Sequence, residues 1–266
     1  MKILKGEILS NETYGPDIYK MEVFSPYIVK NTGAGQFVNI KCTPEGVRDP
    51  LLRRPFSIFD IEEKFNVFSI LYFVKGRGTQ YMSKLDKGDM LDFSGPLGKP
   101  VDLAASGNNL LLIGGGMGVV PLNLLSKLGL DAGKNVLIMA GFRDSSLLRW
   151  ERDLVRMGVK YRIFSEDGIW GEQGLVTDHL FDEYKVFADH DVFCCGPAPM
   201  LEVLQKRLTG ENIDATVFLE EKMACGMGAC HGCVIKVKTA SGDFDYKRIC
   251  KNGPAFKLSE VIFDDR

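Results

Sequence analysis

The chain of 266 residues lacks several features that mark common protein classes. Its longest apolar runs, such as Leu110–Ile113 and Val136–Ala140, are far shorter than the roughly 20 residues of a transmembrane helix, so we expect no membrane span. Lysine and arginine total 33 against 35 acidic residues, which leaves no basic excess for nucleic acid or an anionic membrane. The first residues form no apolar signal-peptide core, and a cytoplasmic protein is expected.

Patterns of apolar residues and turns divide the chain into three predicted parts. Residues 1–100 contain six β-rich stretches and one helix near Gly78–Leu85, which predicts an antiparallel Greek-key β-barrel. Residues 101–214 alternate buried strands with helices, including Val119–Gly129 and Val176–Phe181, which predicts a doubly wound parallel α/β sheet. Residues 215–266 form a third segment that holds most of the cysteines.

The cysteines of the third segment carry the strongest signal. Seven cysteines without a secretory signal favour a metal site in a reducing compartment over disulfides. Cys225, Cys230 and Cys233 are spaced C-x4-C-x2-C, and Cys250 follows seventeen positions later. This is the spacing of plant-type [2Fe–2S] ligands, so the four thiols are predicted to bind such a cluster. Between these cysteines lie Gly226, Gly228 and Gly232. At these glycines we expect positive φ angles, a close approach of the backbone to the cluster and amides that point at its sulfurs.

A structural zinc site with four thiolates is the alternative reading of these cysteines. Zinc sites usually pair their ligands as C-x2-C…C-x2-C, whereas here the ligands divide three and one. His231 lies inside the loop and is expected to be a bystander, because the thiol set is already complete. Cys42 and Cys194 are expected to pack in the core, as free cysteines commonly do.

Two motifs in the predicted α/β part indicate a dinucleotide site. The turn Gly114–Gly118 follows an apolar strand and opens a helix, where backbone N–H groups and the helix dipole favour a pyrophosphate. Cys195-Gly196-Pro197 places a thiol and a glycine at the end of another strand, at the edge of the sheet where ligands collect. The alternative for the glycine turn is a tight turn that binds no ligand, and the alternative for Cys195 is a cysteine that is simply buried. The predicted NAD residues are Gly114, Gly115, Gly116, Gly118, Cys195, Gly196 and Pro197.

The choice between NAD and NADP rests on the segment Ser165-Glu-Asp-Gly168. Its carboxylates follow a predicted strand, where they favour ribose hydroxyls and repel a 2′-phosphate. NAD is therefore the expected cofactor, and solvated loop carboxylates are the alternative.

Two basic motifs in the predicted barrel are typical of a flavin site. Arg53-Arg-Pro-Phe-Ser57 supplies an arginine pair for a diphosphate and a serine for a flavin ring nitrogen. Lys75-Gly-Arg-Gly-Thr79 is a turn whose amides can hold phosphate at the start of a helix. Taken alone, each is also compatible with an ordinary basic surface turn.

The order of these motifs resembles the ferredoxin–NADP reductase superfamily. The ending, from Glu220 through the four cysteines to Phe256, more narrowly resembles the electron transfer subunits of type B, NAD-dependent dihydroorotate dehydrogenases. The resemblance covers the whole chain and departs at Met117, where a β-branched residue is usual, and at Val119-Val120. It implies that NAD(H) binds at the glycine turn and Cys-Gly-Pro. It implies that FAD binds at Arg54, Pro55, Phe56, Ser57, Ile70, Leu71, Tyr72, Gly78 and Thr79.

Electron counting supports the same set of cofactors. A nicotinamide exchanges two electrons as hydride and a [2Fe–2S] cluster carries one, whereas a flavin can do both. The histidines are scattered, and the sequence offers no Ser-His-Asp set or metal triad. A chain that ends in a one-electron relay needs an acceptor or donor outside itself, so we expect a partner protein near the cluster.

The resemblance implies which partner this is. It would be an FMN-containing dihydroorotate dehydrogenase catalytic subunit, in a heterotetramer of two pairs. Electrons would run from dihydroorotate through FMN, cluster and FAD to NAD+, in pyrimidine (UMP) biosynthesis. Two alternatives stay open: an NAD(P)H-dependent reductase that serves ferredoxin or another acceptor, and a zinc-stabilised binding module without redox chemistry.

Overall fold

The computed structural model describes residues 1–180 and 190–263. The first part is a closed barrel of six strands, arranged β1-β2-β5-β4-β3-β6 and paired antiparallel. This confirms the predicted barrel. Its helices are α1 (Pro26–Asn31) and α2 (Arg77–Met82). Its strands are β1 (Lys2–Gly15), β2 (Ile18–Phe24), β3 (Phe37–Ile40), β4 (Arg54–Glu62), β5 (Val67–Phe73) and β6 (Met90–Leu97).

The second part is a seven-stranded sheet in the order β10-β9-β8-β7-β11-β12-β15. All pairings from β10 to β12 are parallel, and β15 adds an antiparallel edge, which confirms the predicted α/β class. Its strands are β7 (Asn109–Gly115), β8 (Asn135–Phe142), β9 (Lys160–Ser165), β10 (Glu172–Gln173), β11 (Asp191–Cys195), β12 (Ala215–Phe218) and β15 (Ala255–Lys257). The helices are α3 (Val119–Asp131), α4 (Trp150–Met157) and α5 (Ala198–Gly210).

The third part is a small sheet in the order β14-β13-β16, with the helix α6 beside it. Its elements are β13 (Val234–Lys238), β14 (Phe244–Arg248), α6 (Ile249–Asn252) and β16 (Val261–Ile262). The strand β12 lies beyond the predicted division at residue 215, yet it pairs with β11 of the large sheet. The third part is thus joined to the α/β sheet through β12 and β15.

Two local features differ from the sequence-based expectation. Helix α1 was not predicted, although the Ser25 hydroxyl accepts from the Ile28 N–H and Pro26 occupies the first turn, which are ordinary start signals. The helix predicted at Val176–Phe181 is a series of turns over residues 176–180, and Phe181 lies outside the described residues. Within the described ranges, no helix has the length and apolar content needed to cross a membrane.

Helix α3 fixes the barrel against the α/β sheet. Asn123 donates from Nδ2 to the Phe59 carbonyl oxygen at 3.0 Å and accepts from the Trp150 indole at 2.8 Å. Lys127 pairs with Asp60 at 2.7 Å. Because Asn123 is buried, its two hydrogen bonds form in a low-dielectric interface and hold β4 in one position relative to α3.

Candidate redox site

The four predicted thiol ligands lie close together and form two pairs. Cys225 and Cys230 stand on the loop before β13, and the Cys230 N–H donates to Cys225 Sγ at 3.4 Å. Cys233 directly precedes β13 and Cys250 lies on α6, with 3.4 Å between the two sulfurs. The structure therefore gathers residues that are separated by up to 25 positions in the sequence.

Backbone N–H groups of this loop favour the thiolate form of Cys225. Met227 and Cys230 donate N–H groups to Cys225 Sγ at 3.5 and 3.4 Å, and Gly232 donates to Cys230 Sγ at 3.4 Å. Burial raises the pKa of Cys225, but hydrogen bonds from backbone N–H groups together outweigh it and lower the pKa to about 6. Since a thiolate is the form that binds metal, the loop favours a ligand at this position.

The pairing of the thiols tests which metal group the residues fit. A tetrahedral metal with thiolate bonds of about 2.3 Å holds two of its sulfurs about 3.8 Å apart, close to the Cys233–Cys250 separation. Among the described residues, three His, Cys, Asp or Glu side chains nowhere converge as ligands of one ion. Two adjacent pairs are what two irons require, so the donor set fits a [2Fe–2S] cluster better than one zinc ion.

Glycines and an arginine shape the loop around the thiols. Gly226 and Gly228 have the expected positive φ angles, +68° and +86°, but the same expectation for Gly232 is wrong, and His231 has a φ angle of +57° instead. Arg248 donates to the Gly228 carbonyl oxygen at 2.6 Å and lies 3.2 Å from His231 Nε2. His231 therefore contacts Arg248, while Gly232 contributes its N–H group to Cys230 Sγ.

The predicted dinucleotide residues meet at the carboxyl ends of two adjacent strands. Gly114, the last residue but one of β7, lies directly opposite Cys195 at the end of β11. A cavity of about 270 Å³ is lined by Gly115, Gly118, Cys195, Gly196 and Pro197, among other residues. Five of the seven predicted residues thus share one cavity where the helix α3 begins, and Gly114 and Gly116 are not among its lining residues.

Two groups in this cavity have raised pKa values. Burial, together with nearby Glu220 and Cys194, raises the pKa of Cys195 well above its ordinary value, so its thiol is neutral. Glu220 is exposed to solvent but stands in a cleft surrounded by protein, which raises the pKa of its carboxyl group. Sequence reasoning did not select Glu220 as a site residue. Its place two residues after the last parallel strand, β12, was the available signal.

The predicted flavin residues fall into two groups. Five of them line one cavity of about 430 Å³ between β4 and the turn before α2: Arg54, Pro55, Phe56, Gly78 and Thr79. Lys75 and Arg77 line the same cavity, so its wall is cationic, as a diphosphate requires. The Thr79 hydroxyl accepts from the N–H groups of Lys75 and Gly76 at 3.0 and 3.2 Å, and it holds the turn in shape.

The remaining predicted flavin residues lie elsewhere on the barrel. Ser57 lines a second, smaller cavity together with Pro55, Cys195 and Glu220. The side chains of Ile70, Leu71 and Tyr72 are buried in β5. Tyr72 donates to Asn11 Oδ1 at 2.9 Å, and its ring lies edge-on to Phe56, 6.0 Å between centroids.

The acidic segment after β9 lies on the surface, as a ribose-binding loop would. Glu166 and Asp167 are both exposed, and Asp167 accepts from the Ile169 N–H at 3.0 Å. Ser165 is buried and its hydroxyl accepts from the Trp170 N–H. Both carboxylates thus stand exposed after the carboxyl end of β9, the edge of the sheet at which ligands of such folds collect.

Comparison with known proteins agrees with this geometry. Residues 220–262 match the family model described as the iron–sulfur cluster binding domain of dihydroorotate dehydrogenase B. The chain is 36% identical to the dihydroorotate dehydrogenase B (NAD(+)) electron transfer subunit of Bacillus mycoides (strain KBAB4), over 96% of both chains. The subunit of the same name from Bacillus cereus (strain G9842) is also 36% identical, over 96% of both chains.

Solved structures give the same fold. One is an NADH-dependent reduced ferredoxin-NADP oxidoreductase studied for flavin-based electron bifurcation. It matches with a TM-score of 0.80 and 28% identity, over 97% of this chain and 89% of that one. Phthalate dioxygenase reductase matches with a TM-score of 0.63 and 19% identity, over 92% of this chain and 76% of that one, and it supports the fold alone.

Proposed function

The chain belongs to the family of dihydroorotate dehydrogenase B (NAD(+)) electron transfer subunits, and we propose that it connects an FMN-containing catalytic subunit to NAD+. Electrons from dihydroorotate would pass through a [2Fe–2S] cluster and FAD held by this chain, so that orotate is formed for pyrimidine synthesis. The bound groups supply the redox chemistry: hydride exchange at nicotinamide, single or paired electrons at flavin, single electrons at the cluster.

The observation that carries this proposal is that neighbouring sites share residues all the way from the dinucleotide cavity to the thiols. The larger cavity at Gly115 and the smaller one at Ser57 share the residues Cys195 and Glu220. Met223 lines the smaller cavity and belongs to the same apolar cluster as Cys233 and Cys250. Each step of the proposed electron path therefore joins two neighbouring sites.

Each set of residues has a defined task in this proposal. The cationic wall of Arg54, Lys75 and Arg77 would hold the diphosphate of FAD, and Ser57 would face its ring. Gly118 lets the α3 turn approach Cys195, which would form the floor under a nicotinamide. Burial, with Glu220 and Cys194 nearby, raises the pKa of the Cys195 thiol well above its ordinary value, so this thiol would place no charge next to that ring. We favour NAD(H) because Glu166 would oppose a 2′-phosphate.

A surface next to the thiols suits the proposed partner. Cys230 is exposed, and Met227, Phe244 and Tyr246 are 55%, 53% and 52% exposed. Phe244, Tyr246 and Arg248 alternate along β14, an edge strand, so they share one face that ends at the cluster loop. Exposed apolar groups beside an electron exit favour protein docking. We propose that the catalytic subunit binds here, in a heterotetramer of two pairs, in the cytoplasm.

The central test is the variant Cys225→Ser in the complex with its catalytic subunit. Loss of one ligand should disrupt the cluster, while FAD and its cationic wall are untouched. We expect NADH-dependent dye reduction to persist and dihydroorotate-dependent NAD+ reduction to fall to background. The matched control is Cys194→Ala, which removes a buried thiol of β11 that is not a proposed ligand. Full dihydroorotate-dependent turnover in Cys225→Ser would refute the relay.

A second candidate is a reductase that exchanges electrons with ferredoxin. The 28% identity to the ferredoxin-NADP oxidoreductase over 97% of this chain favours it as the runner-up. Purification of the native protein distinguishes the two. Co-purification with an FMN protein at a one-to-one ratio supports the first function, whereas rapid ferredoxin reduction by the isolated chain supports the second.

A further inference from the structure

Asn39 lies where the barrel meets the cluster loop, which we define as residues 224–233. In β3, Val38 and Ile40 belong to the barrel core, so Phe37 and Asn39 face the third part of the molecule. Asn39 is 0% exposed. Its Nδ2 donates to the Ala224 carbonyl oxygen at 3.4 Å, one residue before Cys225.

The residue after Cys225 packs on the same amide group. Gly226 has a φ angle of +68°, and a Cβ added there would lie 3.1 Å from Asn39 Nδ2 and from Leu97 Cδ1. Asn39 therefore contacts the chain on both sides of Cys225. A side chain of the barrel, rather than of the loop itself, limits where this thiol can move.

The carboxamide of Asn39 is unfavourable for the barrel taken by itself. Among the described residues, no donor reaches Asn39 Oδ1, although solvent cannot reach it either. A buried carbonyl oxygen without a partner lowers stability relative to an apolar side chain of the same shape. Rotating the carboxamide would place Oδ1 against the Ala224 oxygen, so its orientation is fixed by the loop. The hydrogen bond from Nδ2 to the loop therefore explains why an amide side chain occupies this buried position.

We propose that Asn39 is a positioning residue for Cys225, which fixes the cluster loop against the strand pair that carries the flavin residues. Across β3 and β4, Asn39 is paired with Pro55, which lines both barrel cavities. One strand pair thus connects the proposed flavin site to the first thiol of the loop. The inference rests on the proposed function, because it takes Cys225 as a cluster ligand. Hydrogen bonds behind the ligands are what orient them in metal sites.

The test is Asn39→Leu in the full chain, purified with its cluster. The cluster loop should lose its hydrogen bond to β3. We therefore expect a chelator to remove iron about fivefold faster or more, and the reduced cluster to give a changed EPR spectrum. The thermal midpoint and the FAD content should be equal or higher, because the unpaired oxygen is gone. Opposite changes in cluster retention and fold stability are the signature of a positioning role.

The matched control is Ser94→Ala, on the neighbouring strand β6. The Ser94 hydroxyl is buried and donates to the Asn39 carbonyl oxygen at 3.5 Å, so this variant alters the same barrel end but keeps the Asn39 amide. We expect wild-type iron release and an unchanged EPR spectrum.

Two results would overturn the inference while leaving the proposed function intact. One is iron release and EPR spectrum in Asn39→Leu that equal those of the wild type. The other is a lowered thermal midpoint with parallel loss of flavin and iron, which would make Asn39 a residue of general stability. Wild-type protein without iron or acid-labile sulfide would instead overturn the proposed function and the inference together.

Discussion

At the residue scale, Gly118 decides whether the dinucleotide cavity exists. A Cβ at this position would overlap the carbonyl group of Cys195 and the N–H of Gly196. These are backbone atoms of the end of β11, which the parallel ladder with β7 holds in place. The start of α3 and the Cys-Gly-Pro turn come together only because residue 118 has no side chain.

We therefore expect Gly118→Ala to impair nucleotide binding more than flavin binding. The added methyl group would push the α3 turn away from Cys195, at a cost of about 1 to 3 kcal/mol in folding free energy. Stopped-flow reduction of the bound flavin by NADH should become at least tenfold slower, while FAD content stays close to stoichiometric.

Gly210→Ala is the control for this experiment, because an added Cβ there meets open space at the end of α5. It should leave the rate of flavin reduction unchanged. Equal rates in Gly118→Ala and wild type would show that the close approach at Cys195 is not needed for nucleotide binding.

At the scale of elements, α3 matters as the link between the barrel and the sheet. Its Asn123 satisfies a carbonyl group of β4 and the indole of Trp150 at the start of α4 at the same time. Lys127, one turn later, pairs with Asp60 of β4. The helix that begins at the dinucleotide cavity is thus also the element that holds the flavin-carrying strand.

Asn123→Ala should lower the free energy of unfolding by about 2 to 4 kcal/mol, because it leaves an indole N–H and a carbonyl group buried without partners. Urea titration followed by flavin release and by circular dichroism measures this loss. Asn135→Ala, which removes an exposed hydrogen bond to Asn109, should cost less than about 1 kcal/mol. Equal losses in both variants would contradict the role of α3 as the link.

At the scale of the whole molecule, the cluster segment has two means of attachment. An apolar group joins Met223, Ile235 and Ile249 of the segment to Phe37 and Leu97 of the barrel. The strand β15 of the same segment completes the edge of the large sheet beside β12. The apolar group also contains Cys233 and Cys250, whereas the pairing of β15 with β12 involves none of the four thiols, so we expect the barrel and the large sheet to persist without the cluster.

Removal of iron and sulfide with a chelator should therefore loosen the cluster loop and leave the remaining fold intact. Hydrogen exchange should rise at residues 224–233, while the strands of the barrel keep their protection and NADH-dependent dye reduction persists. Loss of protection throughout the barrel on iron removal would show instead that the cluster holds the whole molecule together.

Much of this molecule could be predicted from short-range patterns. The barrel, the parallel sheet and most helix positions follow from apolar periodicity and from turn residues, which act within about ten positions. Helix α1 was missed although Ser25-Pro26 signals it, and the turns at residues 176–180 carry an apolar pattern without forming a helix. The thiol spacing indicated the cluster because a ligand loop is itself a local structure.

The sequence by itself determined the fold class, the cysteine set and the motifs, because each depends on neighbours along the chain. Only the tertiary structure decided that the thiols stand in two pairs, that Glu220 and Cys195 border two connected cavities, and that Asn39 lies beneath Cys225. Asn39 and Ala224 are 185 positions apart. Contacts at such separations arise from how whole elements pack, and no local pattern in the sequence records them.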